Sequence, residues 1–175
     1  LYISTLGSGI FKIDSTYILK WLAHEKLLNT HSIIIEKDNS LLAATSKGLF
    51  ALTVIKDRIH ITGTAAMFES KNVKQVIRIN GTENYFWVHV EGEGIYGLKR
   101  TGNSFEVFTH IHKELMLDRM TISCIYNDQN GNLWVSLFGE GLRKIDFNGR
   151  PQLNNFSVFI INKSNGLRNL NIQSI

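Results

Sequence analysis

Four short stretches of this chain are copies of one another, and that repetition limits the folds open to it more than its composition does. LYISTLGSGIFKID (1–14) aligns position for position with LWVSLFGEGLRKID (133–146). A third copy is YFWVHVEGEGIYGLK (85–99), and a weaker, shortened one is LLAATSKGLFAL (41–52). Each is a short apolar run, a glycine-bearing turn and a second apolar run. The second glycines Gly9, Gly48, Gly94 and Gly141 stand 39, 46 and 47 residues apart, within the roughly 40–50 residues of a four-stranded propeller blade. Tight turns and alternating apolar positions specify strands, not the helix pairs that occur at similar periods.

A second feature repeats in phase with the first. HEKLLNTHSIIIEKD (24–38), KELMLDRMTISCI (113–125) and SNGLRNLNIQSI (164–175) each set a polar lead-in with an apolar pair before an Ile-initiated strand. The turns KDNS, RINGTEN and NDQNGN follow such strands. One whole unit reads from Thr121: strand TISCIYND, turn QNGN, strand LWVSLF, turn GEG, strand LRKIDF, a turn around Gly149 and Pro151, and strand NFSVFIIN. Proline suits that turn, where its missing N–H costs nothing. The expected fold is all-β: one propeller segment over 1–175, about four blades of four antiparallel strands. Its repeat hairpins fall at 1–14, 41–52, 85–99 and 131–146, and a further blade starts at 170–175. Both ends look cut from a longer chain.

The motif I-S-x-I-Y-x-D, x-x-G-N-L-W-V, G-x-G-L-x-x-I-D, from Ile122 to Asp146, resembles the two-component-regulator propeller repeat, and NGLRNLNIQSI resembles the lead-in of the next repeat. The other copies are degenerate, with Tyr2 and Leu42 where tryptophan is usual. The resemblance implies part of a larger propeller of the seven-bladed type. It would belong to the periplasmic sensor region of a Bacteroides-type hybrid sensor histidine kinase/response regulator. It also implies an oligosaccharide as signal, a role in transcription regulation through a phosphorelay, and the remaining blades of a parent chain as partners, with a homodimer possible. No kinase phosphate-binding loop, phosphoacceptor helix or helix–turn–helix is present, so this chain is expected to be no enzyme and to bind no nucleic acid. Membrane attachment would come only through parent segments.

Composition agrees with a globular segment: 43% hydrophobic, 19% charged and a net charge of +4 without a basic block. No run approaches the roughly 18–20 apolar residues of a membrane helix. Cys124 is the one cysteine, so no internal disulfide forms; a buried, inert thiol is expected. His24, His31, His60, His89, His110 and His112 show no metal-site spacing. His110 and His112 could share a strand face but read as solvated surface. No metal and no cofactor are expected, and the carboxylates show no glycosidase pair.

Residues that recur once per blade read as scaffold: Tyr2, Trp87 and Trp134 as packing between blades, Gly9, Gly48, Gly94 and Gly141 as turn glycines, Asp14 and Asp146 as turn caps. A ligand site has to break the repeat. The glycine turns and lead-ins are the candidate region, and Glu91, Glu93, Arg119, Phe138, Glu140 and Arg168, which differ from their counterparts, are the candidate contacts. Charged groups plus an aromatic suit a sugar or uronic acid. A protein-interaction platform is the second reading, and a propeller-fold lyase or glycosidase the third.

Overall fold

The structure, a computed structural model, describes residues 1–37, 39–112, 115, 117, 119–148 and 155–175. Strands β1 (Tyr2–Thr5), β2 (Gly9–Ile13) and β3 (Leu19–Leu22) form the first sheet. The second holds β4 (Thr30–Ile35), β5 (Ser40–Thr45), β6 (Gly48–Ile55) and β7 (Arg58–Thr64). The third holds β8 (Val73–Arg78), β9 (Tyr85–Val90), β10 (Gly94–Thr101) and β11 (Ser104–Ile111). The fourth holds β12 (Ile122–Asn127), β13 (Leu133–Leu137), β14 (Gly141–Asp146) and β15 (Ser157–Ile161). In every sheet the strands neighbour one another in chain order, the meander of a propeller blade.

Among the described residues the first sheet holds three strands, with β1 and β2 paired in the register of β13 and β14. The copy at 41–52, read as weak and shortened, is a full blade. Its β6 runs eight residues, and Leu41, Leu42, Ala43 and Ala44 are all buried. Alanine keeps the alternation but shortens the side chains, which hides the pattern from inspection. The expected turn at Gly149 and Pro151, Asp38 in the KDNS turn, and Lys113, Glu114, Met116 and Asp118 of a lead-in lie outside the described residues. Residues 170–175, where a further blade was expected to open, carry no strand. The segment is hydrogen-bonded to the fourth blade: Ser136 Oγ donates to the Ile172 carbonyl at 2.6 Å, and the Gly139 amide donates to Asn171 Oδ1 at 3.0 Å. No helix among the described residues is long and apolar enough to cross a membrane.

The chain divides into two compact units, residues 1–76 with 100–105, and residues 77–99 with 106–175. In the first, a core of Ile10, Leu22, Leu27, Leu41, Phe50, Leu52 and Val54 takes Tyr2 against it. Lys12 and Lys20, which face each other across β2 and β3, both reach Asp57, at 3.0 and 2.7 Å. The lysines hold the Asp57 carboxyl below its usual range, Lys20 contributing most, and Asp57 in turn raises Lys20. In the second unit, Trp87, Ile95 and Ile111 pack with Leu133, Val135, Ile145 and Phe147. Asn80 ties the turns there: its amide donates to Asn127 Oδ1, and its Nδ2 to the carbonyls of Asn127 and Asp128. As anticipated, Asp14 Oδ1 caps its turn, accepting from Thr16 Oγ1 and from the amides of Thr16 and Ile18. The Thr16 hydroxyl is the main reason its carboxyl is lowered to about 2.

The repeated glycines serve two distinct ends, seen in the fourth blade. Both Gly139 and Gly141 have positive φ, 76° and 81°. A Cβ on Gly139 would meet open space, whereas one on Gly141 would lie 2.4 Å from the Ile161 carbonyl oxygen. Gly139 is needed for its backbone conformation alone, and Gly141 also for the close approach of β15.

Candidate ligand-binding site

The glycine turns of the first, second and fourth blades are each clamped by lead-in segments beside them. In the first blade the amides of Gly7 and Gly9 both donate to the Leu28 carbonyl at 2.9 Å, just past a one-turn 3-10 helix at Glu25–Leu27. In the second, the Ser46 amide donates to Asn29 and the Ser70 amide to Lys47, beside a second such turn at Ala66–Phe68. In the fourth, the Phe138 amide donates to Thr121, and Leu167 lies 3.1 Å from where a Gly141 Cβ would stand. Separate segments of the chain thus meet at one end of these three blades.

At the second blade this meeting encloses a cavity of about 460 Å³, a size common for small-molecule sites. Glu25 and Lys26 come from one lead-in, Lys47, Gly48, Leu49 and Phe50 from the glycine turn and β6, and Thr64, Ala65, Ala66, Glu69 and Ser70 from the next lead-in. Two carboxylates, two ammonium groups and two hydroxyls surround an apolar wall that includes Phe50. Gly48 is obligatory there: at φ 131° its Cβ would stand 2.9 Å from the Phe68 carbonyl oxygen. Such a lining can bind a polyhydroxylated molecule through hydrogen bonds. Among the described residues no group of three metal-ligating side chains exists.

None of the six candidate contacts lines this cavity; Glu91 and Glu93 stand at the glycine turn of the third blade, Phe138 and Glu140 at that of the fourth, and Arg119 and Arg168 in lead-ins. Phe138 is 64% exposed, and Glu91, Arg119, Glu140 and Arg168 are exposed as well. Glu140 reaches Arg143 at 3.9 Å. Glu93 is engaged within its own blade: it accepts from the Tyr96 hydroxyl at 2.7 Å, and its carbonyl bonds His110 Nε2 at 2.7 Å. Burial, reinforced by the Glu93 carboxylate, holds the Tyr96 hydroxyl above its usual range.

The histidines correct the solvated reading. His110 stacks on Tyr96 at 3.7 Å and on His112 at 4.0 Å, and His89 is buried in β9. Side chains two apart on a strand share a face, and Gly94 leaves room for His112 beside the turn. Cys124 is half-buried, not fully buried. The two tryptophans also part company. Trp87 is fully buried against Phe147, while Trp134 is half-exposed. Its Nε1 donates to Asp128 Oδ2 at 2.9 Å, and Asp128 also takes the amides of Asn130 and Asn132. Burial raises the Asp128 carboxyl, but the hydrogen bonds, that of Trp134 foremost, outweigh it and hold the group below its usual range.

Sequence reasoning named the region, glycine turns with lead-ins, but missed the cavity residues Glu25, Lys26, Lys47, Thr64, Glu69 and Ser70. The usable signal was TAAMFESKN, a fourth lead-in with its own apolar pair, hidden because no Ile-initiated strand follows it.

Comparison with known proteins bears on the fold and on one repeat. Residues 116–139 match the family model of the two component regulator propeller, so the resemblance holds at the repeat that carried it. No curated protein matches the chain in sequence. Among solved structures, the extracellular domain of the hybrid two component system BT3049 from B. thetaiotaomicron is similar with a TM-score of 0.69 at 20% identity, covering 96% of this chain and 22% of that one. That of the hybrid two component system BT4673 from B. thetaiotaomicron gives 0.67 at 17%, covering 93% and 23%. An ancestral GH74 enzyme gives 0.61 at 14%, covering 82% and 20%. The chain thus has the β-propeller fold and spans about a fifth of the length of these structures.

Proposed function

We propose that this chain is a ligand-sensing segment of the extracytoplasmic, periplasmic part of a hybrid two-component regulator, and that its ligand is an oligosaccharide. The carrying observation is the cavity of the second blade, built from a glycine turn and two lead-ins in a chain whose fourth blade matches the two component regulator propeller. Glu25 and Glu69 accept hydrogen bonds from sugar hydroxyls, Lys26 and Lys47 donate to ring and hydroxyl oxygens, and the apolar wall takes the C–H face of a ring. The balance of two acids and two bases favours a neutral or sparsely charged glycan over a polyanion. No step of chemistry is assigned to the segment; binding would bias the geometry of the parent sensor toward a signalling state, and kinase and transcription-regulating activity would reside in that parent.

Calorimetric titration of a panel of neutral and acidic oligosaccharides tests this. Binding by the wild-type chain, lost in Lys47→Ala with Glu69→Ala while the melting temperature holds, is the expected result. No heat from any glycan, together with saturable capture of one protein partner, would favour an interaction platform instead. Turnover of a glycan would favour an enzyme.

A further inference from the structure

The glycine turn of the second blade is one residue shorter than the others, and the cavity opens beside it. Three residues separate the paired ends of the hairpin in the first, third and fourth blades, between Thr5 and Gly9, Val90 and Gly94, and Leu137 and Gly141. In the second blade Ser46 and Lys47 alone separate Thr45 from Gly48. The residue missing there is the first glycine. Gly7, Gly92 and Gly139 all have positive φ, and neither Ser46 nor Lys47 does.

That glycine carries a hydrogen bond to the lead-in that follows its turn. In the first blade the Gly7 amide, together with that of Gly9, donates to the Leu28 carbonyl, and in the fourth the Gly139 amide donates to Asn171 Oδ1. The first and second blades correspond residue by residue at this point. Leu27 and Phe68 each end a one-turn 3-10 helix, and each is fully buried. The Leu27 carbonyl oxygen would lie 3.1 Å from a Cβ on Gly9, and that of Phe68 2.9 Å from a Cβ on Gly48. The next residues, Leu28 and Glu69, are therefore equivalent. The Leu28 carbonyl takes two amides, whereas the Glu69 carbonyl takes no donor among the described residues. The link between turn and lead-in runs the other way in the second blade: the Ser70 amide, at φ 62°, donates to the Lys47 carbonyl at 3.1 Å. Lys47, Gly48, Glu69 and Ser70 all line the cavity.

We infer that the shortened turn is the specificity determinant of the second-blade cavity, and that a ligand hydroxyl takes the place of the missing amide by donating to the Glu69 carbonyl. The inference rests on the oligosaccharide reading of that cavity and narrows it. A backbone carbonyl accepts and cannot donate, so its partner has to be a donor, which in a neutral sugar is a free hydroxyl and not an ether or ester oxygen. Lys47, in the shortened turn, offers the complementary donor to a neighbouring ligand oxygen. A turn of full length would supply the amide from the protein itself, as Gly7 does, and the ligand hydroxyl would then compete with a bond already made.

Calorimetric titration of the chain with cellotriose, xylotriose, mannotriose and galactotriose tests the inference. Two variants each gain one glycine, the first between Ser46 and Lys47, the second, as a control, between Phe138 and Gly139. Wild type and control should bind the same trisaccharide alike, and the Ser46–Lys47 insertion should bind it about tenfold more weakly or worse. A second measurement needs no variant. In wild type carrying carbon-13 at its carbonyls, saturation with that trisaccharide should shift the Glu69 carbonyl resonance and leave that of Leu28, already paired, in place. It alone decides if circular dichroism shows the insertion unfolded. Unchanged binding by the Ser46–Lys47 insertion, or a Glu69 carbonyl that does not respond, overturns the inference and leaves the oligosaccharide reading standing. Equal loss in both insertions also overturns it, because turn length then acts through the fold. No binding of any trisaccharide by wild type defeats the oligosaccharide reading itself, and the inference with it.

Discussion

Trp87 stacks on Phe147 with ring centroids 5.0 Å apart and planes 19° from parallel, while Trp134, at the same position of the next repeat, keeps a half-exposed ring held by Asp128. Equivalent residues therefore carry unequal energies. Trp87→Ala should cost about 3–5 kcal/mol, the range for a large core aromatic, and Trp134→Ala about 1–2 kcal/mol, a lost hydrogen bond and partial burial. Because Trp87 Nε1 is buried with no hydrogen-bond partner among the described residues, Trp87→Phe should cost much less than Trp87→Ala. Urea denaturation of the three variants measures this; equal losses at Trp87 and Trp134 would refute the distinction.

The two glycines of the fourth-blade turn should separate in the same way. Gly139→Ala meets only its left-handed conformation and should cost about 1 kcal/mol. Gly141→Ala also drives a methyl against the Ile161 carbonyl, so β15 must move away, and the loss should exceed that of Gly139→Ala by about 1–3 kcal/mol. Thermal melts compare them, and hydrogen exchange at Ser157–Ile161 should rise only in Gly141→Ala.

Acid should weaken the second unit through Asp128. Its folded-state pKa is depressed, so its contribution is fully present above the unfolded carboxyl value of about 3.9 and is lost as pH falls through the folded value. Asp128→Asn keeps an acceptor but cannot ionise. It should lower stability near neutrality and flatten the profile below about pH 4. A variant that loses stability with acid as steeply as wild type would remove Asp128 from the account.

Asp57 offers a salt test in the first unit. It bridges Lys12 and Lys20 from an exposed turn at φ 60°. The stability gap between wild type and Asp57→Asn should narrow as ionic strength goes from about 0.01 M to about 1 M, where the Debye length falls from about 30 to about 3 Å. Asp57→Gly should lose less than Asp57→Asn at high salt, since glycine relieves the left-handed backbone. A gap indifferent to salt would mean that the turn, not the charge, is what Asp57 supports.

The strand inventory of the fourth blade, the period of the blades and the positions of the glycine turns are legible in the order of the amino acids alone. These depend on alternation, turn chemistry and local backbone conformation, all of which lie within a few residues of one another. Legibility was lowest where side chains are small, as in Leu41–Thr45, and at the lead-in TAAMFESKN. Which copy of a repeated residue is covered follows from contacts between residues far apart in the chain. Trp87 and Trp134 occupy the same place in their repeats, but only the Trp87 ring packs on Phe147, while the Trp134 ring is tied to Asp128. Only tertiary structure brought Glu25, Lys47 and Glu69 around one cavity, because a site shared by a turn and two lead-ins has no spacing within any single repeat.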